Sequence, residues 1–133
     1  MSALVVATLA SAFLAIGVAP AVAVDYPVCD AGARVTCVVD GDTFWLRGEK
    51  IRISNIDAPE MDAACDAELR LALVSMRRLG ELLASGRLYI RREGLDRNGR
   101  TLATIAIDGE DIGDQLVAEG LARTWTGRRE PWC

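Results

Sequence analysis

Three short polar segments, each containing glycine or proline, divide the middle of this chain into pieces of strand length. They are residues 40–43 (Asp-Gly-Asp-Thr), 57–60 (Asp-Ala-Pro-Glu) and 96–100 (Asp-Arg-Asn-Gly-Arg). An Asp-Gly pair between apolar runs is typical of a β-hairpin turn, and proline ends a central strand because it has no N–H to donate. The segments therefore predict short strands joined by tight turns.

The apolar patterning predicts an α+β fold. Residues of alternating or β-branched character indicate five strands, at 35–39, 43–46, 51–56, 87–93 and 101–107. A first helix is predicted over 66–85, because apolar residues recur there at helical spacing: Leu69, Leu73, Met76, Leu79 and Leu83. A second, short helix is predicted to begin after Asp111 and to end at Gly120. Five short strands with two helices favour an OB-fold, a five-stranded β-barrel, over an up-and-down sandwich.

The N-terminus carries a long apolar run. Residues 3–24 hold no charge, and the small residues Ala21 and Ala23 fit a cleavage after Ala23. The sequence thus predicts a signal peptide at 1–23, a mature domain at 24–133 and a secreted or periplasmic protein. No lysine or arginine precedes the run, so a retained membrane anchor is the alternative. If the leader is cleaved, we expect no stable membrane association.

Four cysteines follow the apolar run, an even number that favours disulfide bonds in an exported protein. No closely spaced Cys pair suggests a zinc site. Three pairings are possible, and the distances along the chain favour Cys29 with Cys37 and Cys65 with Cys133. Buried free thiols are the alternative.

The net charge and the absence of histidine limit the reactions that this chain could catalyse. A net charge of −4 argues against tight nonspecific binding to nucleic acid, although not against an enzyme that grips one phosphate. The chain contains no histidine, which excludes a Ser-His-Asp triad, a histidine base and histidine-ligated zinc. Acid–base chemistry near neutral pH must therefore use carboxylates, tyrosines, cysteines, the single lysine Lys50 or metal-bound water.

The three polar segments, with Arg52, carry residue types suited to phosphodiester cleavage. Carboxylate oxygens bind hard cations, and guanidinium groups bind phosphate oxygens in a bidentate manner. Each segment alone is most simply a turn, and an EF-hand is excluded because Trp45 and Ile51 stand where Gly and Glu are needed. The combination is much more specific than its parts.

That combination resembles the staphylococcal nuclease (thermonuclease) family. The shared pattern comprises Asp-Gly-Asp-Thr at 40–43, Arg52 five residues before Asp57, Pro-Glu at 59–60, Asp-x-x-Gly-Arg at 96–100 and Gly-Leu-Ala at 120–122. The resemblance covers roughly residues 34–125. It implies an OB-fold nuclease that uses Ca²⁺ to hydrolyse DNA and RNA and leaves 3′-phosphates. We expect a monomer whose partner is its nucleic acid substrate.

The resemblance also implies a role for each matching residue. Asp42 and Asp57 would bind Ca²⁺ through their carboxylates, Ala58 would do so through its backbone carbonyl, and Asp40 would act through water. Glu60 would orient or deprotonate the attacking water. Arg52 and Arg100 would hold the phosphate and stabilise its growing charge, while Thr43 and Asp96 would support the site.

Several departures from the family pattern leave alternatives open. Asn98 stands where family members commonly have tyrosine, and Thr126 and Arg128 stand in place of stacking aromatic residues, although Trp125 and Trp132 lie nearby. The third, C-terminal helix of the family is missing, and a Cys65–Cys133 bond would fasten the tail instead. The alternatives are a weak or inactive OB-fold nucleic-acid-binding module, with or without a membrane tether, and a membrane-tethered protein of envelope maintenance.

Overall fold

The computed structural model describes Gly17 and residues 24–133. Eight strand segments and two helices follow one another along this part of the chain. They are β1 (Cys37–Asp40), β2 (Thr43–Leu46), β3 (Glu49–Ile53), β4 (Ile56–Asp57), α1 (Asp66–Leu83), β5 (Leu88–Leu95), β6 (Thr101–Ile107), β7 (Glu110–Asp111), α2 (Ile112–Ala118) and β8 (Arg123–Thr124). The predicted elements are all present, with ends that differ by a few residues.

The five longer strands form one mixed sheet in the order β1-β2-β3-β6-β5. All neighbours are antiparallel except β3 and β6, which run parallel with Arg52 opposite Leu102. This is the strand order of an OB-fold, a partly open Greek-key barrel. The predicted OB-fold is confirmed, and its sheet is not closed into a barrel, because no ladder joins β1 to β5 among residues 24–133. Instead, β4 and β8 form a separate two-stranded ribbon, in which Asp57 is opposite Arg123.

The core lies between the sheet and the two helices. Its large buried side chains include Phe44, Ile51, Ile53, Ile105 and Leu116. Strand β6 alternates between buried and half-buried residues along its whole length, as expected when one face packs on a core.

Helix α1 turns a slightly different face to the core than the leucine spacing predicts. Met76, Leu79 and Leu83 are buried, as expected, but Leu69 is 38% exposed and Glu68 takes its place at the interior. The reason is local, since the Glu68 carboxylate accepts hydrogen bonds from the loop before the helix.

Two disulfide bonds fasten the ends of the domain. Cys29–Cys37 joins the N-terminal segment to β1, and Cys65–Cys133 joins the residue before α1 to the C-terminus. Both are the pairings that the sequence favours. The tail after β8 is irregular, and the described residues contain the two predicted helices.

The predicted leader, residues 1–23, lies outside the described residues apart from Gly17. Within the described part of the chain, neither helix is long and apolar enough to cross a membrane.

Candidate functional site

Asp42 lies in the turn between β1 and β2 and is buried although it is ionisable. One oxygen, Oδ1, accepts a hydrogen bond from the Thr43 hydroxyl at 2.8 Å. The other, Oδ2, accepts from the Ala58 N–H at 3.0 Å. The turn and the end of β4 are therefore joined through this carboxylate.

The glycine before Asp42 is required by packing rather than by the turn. Gly41 does not have a positive φ, so the conformational reason for an Asp-Gly hairpin does not apply. A Cβ at position 41 would overlap the Ser75 side chain of α1 and would lie 2.9 Å from the Ala58 Cβ. Gly41 thus allows α1 and the 57–60 segment to approach the turn closely.

Arg52 lies between the two buried aspartates. Its Nη2 is 3.5 Å from Asp42 Oδ2 and 3.9 Å from Asp57 Oδ1. Its guanidinium also donates to the backbone carbonyls of Ile53, at 2.8 Å, and Ile56, at 3.2 Å. The side chain is only 10% exposed. Arg52 is therefore held in a fixed position, and it places a positive charge against both carboxylates.

Glu60 follows Asp57 on the same loop and is more exposed than the aspartates. Its Oε1 accepts from Arg129 Nη2 at 2.5 Å, and the same nitrogen is 3.5 Å from Asp57 Oδ1. The Glu60 N–H donates to the buried Glu68 carboxylate at 3.2 Å, as the Ala64 N–H does at 2.8 Å. Glu68 therefore fixes the loop that carries Glu60.

The crowding of these acids changes their ionisation. Burial, together with the charge of Asp42, raises the pKa of Asp40 to about 8. Burial also raises the pKa of Asp57 and that of Glu60 above their ordinary values, although Arg129 acts in the opposite direction on both. A group of acids that resist ionisation in this way is stabilised by an added cation.

The donor set fits a hard divalent cation. Asp57 Oδ2 is buried and accepts no hydrogen bond of good geometry among the described residues, although the Trp132 side chain acts to lower the pKa of Asp57. Such an oxygen is costly unless something else contacts it. Asp42 and Asp57 offer oxygen ligands of the kind that Ca²⁺ prefers, and the buried Ala58 adjoins them. The cysteines offer no competing thiolate site, because all four are in disulfide bonds.

The structure brings together most of the predicted site residues but not all. Asp40, Asp42, Thr43, Arg52, Asp57, Ala58 and Glu60 form one connected group. Arg100 stands apart in the described residues: its Nε donates to Asp96 Oδ2 at 2.7 Å, and no hydrogen bond or ion pair joins it to the acids. Its backbone position is nevertheless close, since Thr101 is opposite Ile51, the residue before Arg52.

Sequence reasoning missed two residues of this region. Glu68 is the third residue of α1, where an acid often caps a helix start, so that position was a usable signal. Arg129 gave no signal, because it lies on an irregular tail 72 residues from Asp57. Trp125, one of the two tryptophans near the end of the chain, is 39% exposed, and its ring lies 5.6 Å from the Arg52 guanidinium.

Comparison with known proteins agrees with this arrangement. The family model of staphylococcal nuclease homologues matches residues 50–131. The succinoglycan biosynthesis protein ExoI of Rhizobium meliloti (strain 1021) is 33% identical over 104 residues, covering 70% of this chain and 54% of that protein. An uncharacterized endonuclease of Haemophilus influenzae is 31% identical over 94 residues, covering 67% and 49%. Endonuclease YncB of Bacillus subtilis (strain 168) is 33% identical over 92 residues, covering 64% and 44%.

The chain spans about half the length of these curated relatives. The family match nevertheless includes Arg52, the 57–60 segment, the 96–100 segment and the tail that carries Arg129. The chain belongs to the family of staphylococcal nuclease homologues.

Proposed function

We propose that the chain is an exported, Ca²⁺-dependent nuclease that hydrolyses phosphodiester bonds of DNA and RNA and leaves 3′-phosphates. One observation carries the proposal: two buried carboxylates, Asp42 and Asp57, flank the buried Arg52, and one oxygen of Asp57 has no partner among the described residues. The membership of the nuclease family and the relatives named endonucleases support the same reaction class.

Asp42, Asp57 and the backbone carbonyl of Ala58 would hold the cation. When bound, Ca²⁺ supplies positive charge next to a phosphate whose oxygens become more negative as water attacks. Arg52 adds a second positive charge that is already in place before substrate arrives, so little reorganisation is required during the reaction.

Glu60 is the proposed general base. It is more exposed than Asp42 and Asp57, with 31% of its side chain accessible against 4% for each of them, so water can reach it. It would take one proton from a water molecule as that oxygen bonds to phosphorus. The bond from phosphorus to the 5′ oxygen breaks, and this oxygen takes a proton from solvent. The phosphate then remains on the 3′ side.

Arg100 would break its ion pair with Asp96 and then contact the phosphate. Their ion pair is partly exposed, with 26% of the Arg100 side chain accessible, and such pairs are weak enough to exchange for a phosphate. A bidentate contact from Arg100 would stabilise the charge that develops on the phosphate oxygens.

Export and monomeric action are part of the proposal. The two disulfide bonds are compatible with a secreted or periplasmic protein, since such bonds persist in oxidising compartments.

The test is cleavage of single-stranded DNA and of RNA by the purified protein, with Ca²⁺ and with a chelator. We expect Ca²⁺-dependent cleavage of both, and product ends that a 3′-phosphatase can dephosphorylate. Binding of DNA or RNA without cleavage would instead identify the domain as a nucleic-acid-binding module.

A further inference from the structure

One arginine at the site belongs to none of the motifs. Arg129 reaches from the C-terminal tail to two proposed functional acids, at 2.5 Å from Glu60 Oε1 and 3.5 Å from Asp57 Oδ1. Its side chain is 54% exposed, whereas that of Asp57 is 4% exposed. Arg129 therefore lies at the open side of the site, with the acids behind it.

The tail is fastened on both sides of Arg129. Before it, β8 pairs with β4, and Asp57 is opposite Arg123. After it, the Arg123 guanidinium donates to the carbonyls of Glu130, at 3.3 Å, and Pro131, at 2.9 Å, and Cys133 is bonded to Cys65, just before α1. Because both anchors are part of the folded domain, the position of Arg129 is set by the fold.

The N–H donors of Arg52 and Arg129 differ in their availability to a ligand. Arg52 is buried, and both its terminal nitrogens donate to backbone carbonyls. Arg129 uses one terminal nitrogen, Nη2, and its Nη1 and Nε have no hydrogen-bond partner among the described residues. A guanidinium has five N–H donors in a planar fork that matches phosphate. Arg129 thus offers unused donors where a nucleic acid strand would approach.

We propose that Arg129 contacts a backbone phosphate of the bound nucleic acid and, in the free protein, acts as the counter-ion of Glu60 and Asp57. This inference rests on the proposed function, because it takes the same site to bind a phosphodiester. The Arg129–Glu60 pair is partly exposed on both sides, and such pairs contribute little to stability, so moving the guanidinium from this carboxylate to phosphate costs little. The buried Asp57 keeps Arg52, 3.9 Å away, as a counter-ion.

The neighbouring Arg128 provides a matched control. It has the same charge and lies on the same tail, but its side chain is 81% exposed and its ion pair is with Glu130, away from the acids. Arg129→Ala and Arg128→Ala therefore remove equal charge, and only the first removes the proposed contact.

The experiment measures binding by fluorescence anisotropy, with a fluorescein-labelled phosphorothioate oligothymidylate that resists cleavage, in excess Ca²⁺ and at several salt concentrations. Arg129→Ala should weaken binding about tenfold or more, and the slope of log K against log salt should shrink by about 0.7, the value for one lost contact to a single strand. Arg129→Lys should keep the slope while losing part of the affinity. Arg128→Ala should bind within about threefold of the wild type. The inference is overturned if the two alanine variants bind alike, or if the slope of Arg129→Ala is that of the wild type.

The outcome is separate from that of the proposed function, because the probe is not cleaved. A wild type that cleaves DNA, with an Arg129→Ala variant that binds normally, would refute the role of Arg129 alone. If Arg129→Ala weakens binding but the wild type cleaves neither DNA nor RNA, the nuclease proposal is refuted instead.

Discussion

Arg52 and Arg100 are two arginines with the same proposed task but different surroundings. Arg52 is 8% exposed and satisfies two backbone carbonyls, whereas Arg100 pairs with Asp96 at a half-buried position. Lysine keeps the positive charge but cannot form the same fork of hydrogen bonds. Replacement of each arginine by lysine should therefore change the free energy of unfolding by different amounts, while both replacements reduce activity.

Arg52→Lys and Arg100→Lys should each lower kcat/KM on the order of a hundredfold, as is typical when one preorganised donor is lost. Arg52→Lys should also lower the free energy of unfolding by about 1–3 kcal/mol, because a buried carbonyl loses its partner. Arg100→Lys should unfold within about 0.5 kcal/mol of the wild type. Steady-state kinetics and urea melts check both; equal stability of the two variants would contradict the surroundings described for Arg52.

Gly41→Ala tests whether the turn is packed as closely as the structure shows. The added methyl group would overlap the Ser75 side chain, and overpacking of this kind costs about 1–3 kcal/mol. Ser75→Ala removes the hydroxyl that the new methyl group meets. A double-mutant cycle measured by urea unfolding should therefore show that Gly41→Ala is less harmful in the Ser75→Ala background. Strict additivity would show that the two residues are not in contact.

The site residues that sequence could predict are those that motifs carry. Asp42, Arg52, Asp57 and Glu60 come together as the resemblance implies. Burial of Arg52 between two aspartates, and the packing role of Gly41, depend on contacts between distant segments, which no local pattern encodes. Arg129 could not be predicted, because only the folded tail brings it to the acids.

At the scale of elements, an ion pair joins the two helices. Arg78 of α1 donates to Glu119, just after α2, at 2.7 Å, and also to Glu81 at 3.1 Å. The hydrogen bond from Arg78 lowers the pKa of Glu119 below its ordinary value. Both partners are one-third exposed, so solvent weakens the pair and its contribution is small.

This pair gives the stability a definite pH dependence. Because the folded state lowers the pKa of Glu119, the stabilisation is present above the unfolded pKa of about 4.3 and is lost as pH falls through the lower, folded pKa. Arg78→Met keeps the apolar stem and removes the charge. Its loss of stability relative to the wild type should be present at pH 7 and should shrink as pH falls below about 4. Thermal unfolding at several pH values measures this, and a loss that stays constant down to pH 2 would contradict the assignment.

The order of strands and helices along the chain could be predicted well from periodicity and turn residues. Whether the sheet closes into a barrel could not be predicted in this way. The five strands take the expected order, yet β4 is only two residues long because Pro59 follows it closely. It pairs with β8, whose sequence has no strong strand pattern. Likewise, Leu69 has helical spacing but is exposed, since Glu68 turns inward to bind the loop.

At the scale of the whole molecule, the two disulfide bonds close loops of very different length. Cys29–Cys37 closes a separation of 8 residues, whereas Cys65–Cys133 closes 68. In the chain-entropy account, the longer loop stabilises more, because it restricts the unfolded chain more strongly.

Removal of each bond by paired Cys→Ser substitutions should reveal this difference. The Cys65/Cys133 variant should lose about 4 kcal/mol of unfolding free energy and the Cys29/Cys37 variant about 2.5 kcal/mol, by the chain-entropy estimate. Urea unfolding at neutral pH gives both values. The longer loop should also matter for the site, since its bond holds the Arg129 tail. A larger loss from the shorter loop would contradict the chain-entropy account.

The central claim is that Asp42 and Glu60 do different work within one nuclease site. The most direct measurement is the initial rate of DNA cleavage as a function of Ca²⁺ concentration for the wild type, Asp42→Asn and Glu60→Gln, with Ca²⁺ binding followed separately by calorimetry. Asp42→Asn should bind Ca²⁺ more weakly and should regain part of its rate in excess Ca²⁺, because it loses a ligand charge. Glu60→Gln should bind Ca²⁺ almost normally and remain slower by about a hundredfold or more at every concentration. If both variants respond to Ca²⁺ in the same way, or if both cleave as fast as the wild type, the assignment of a cation ligand and a separate base is wrong.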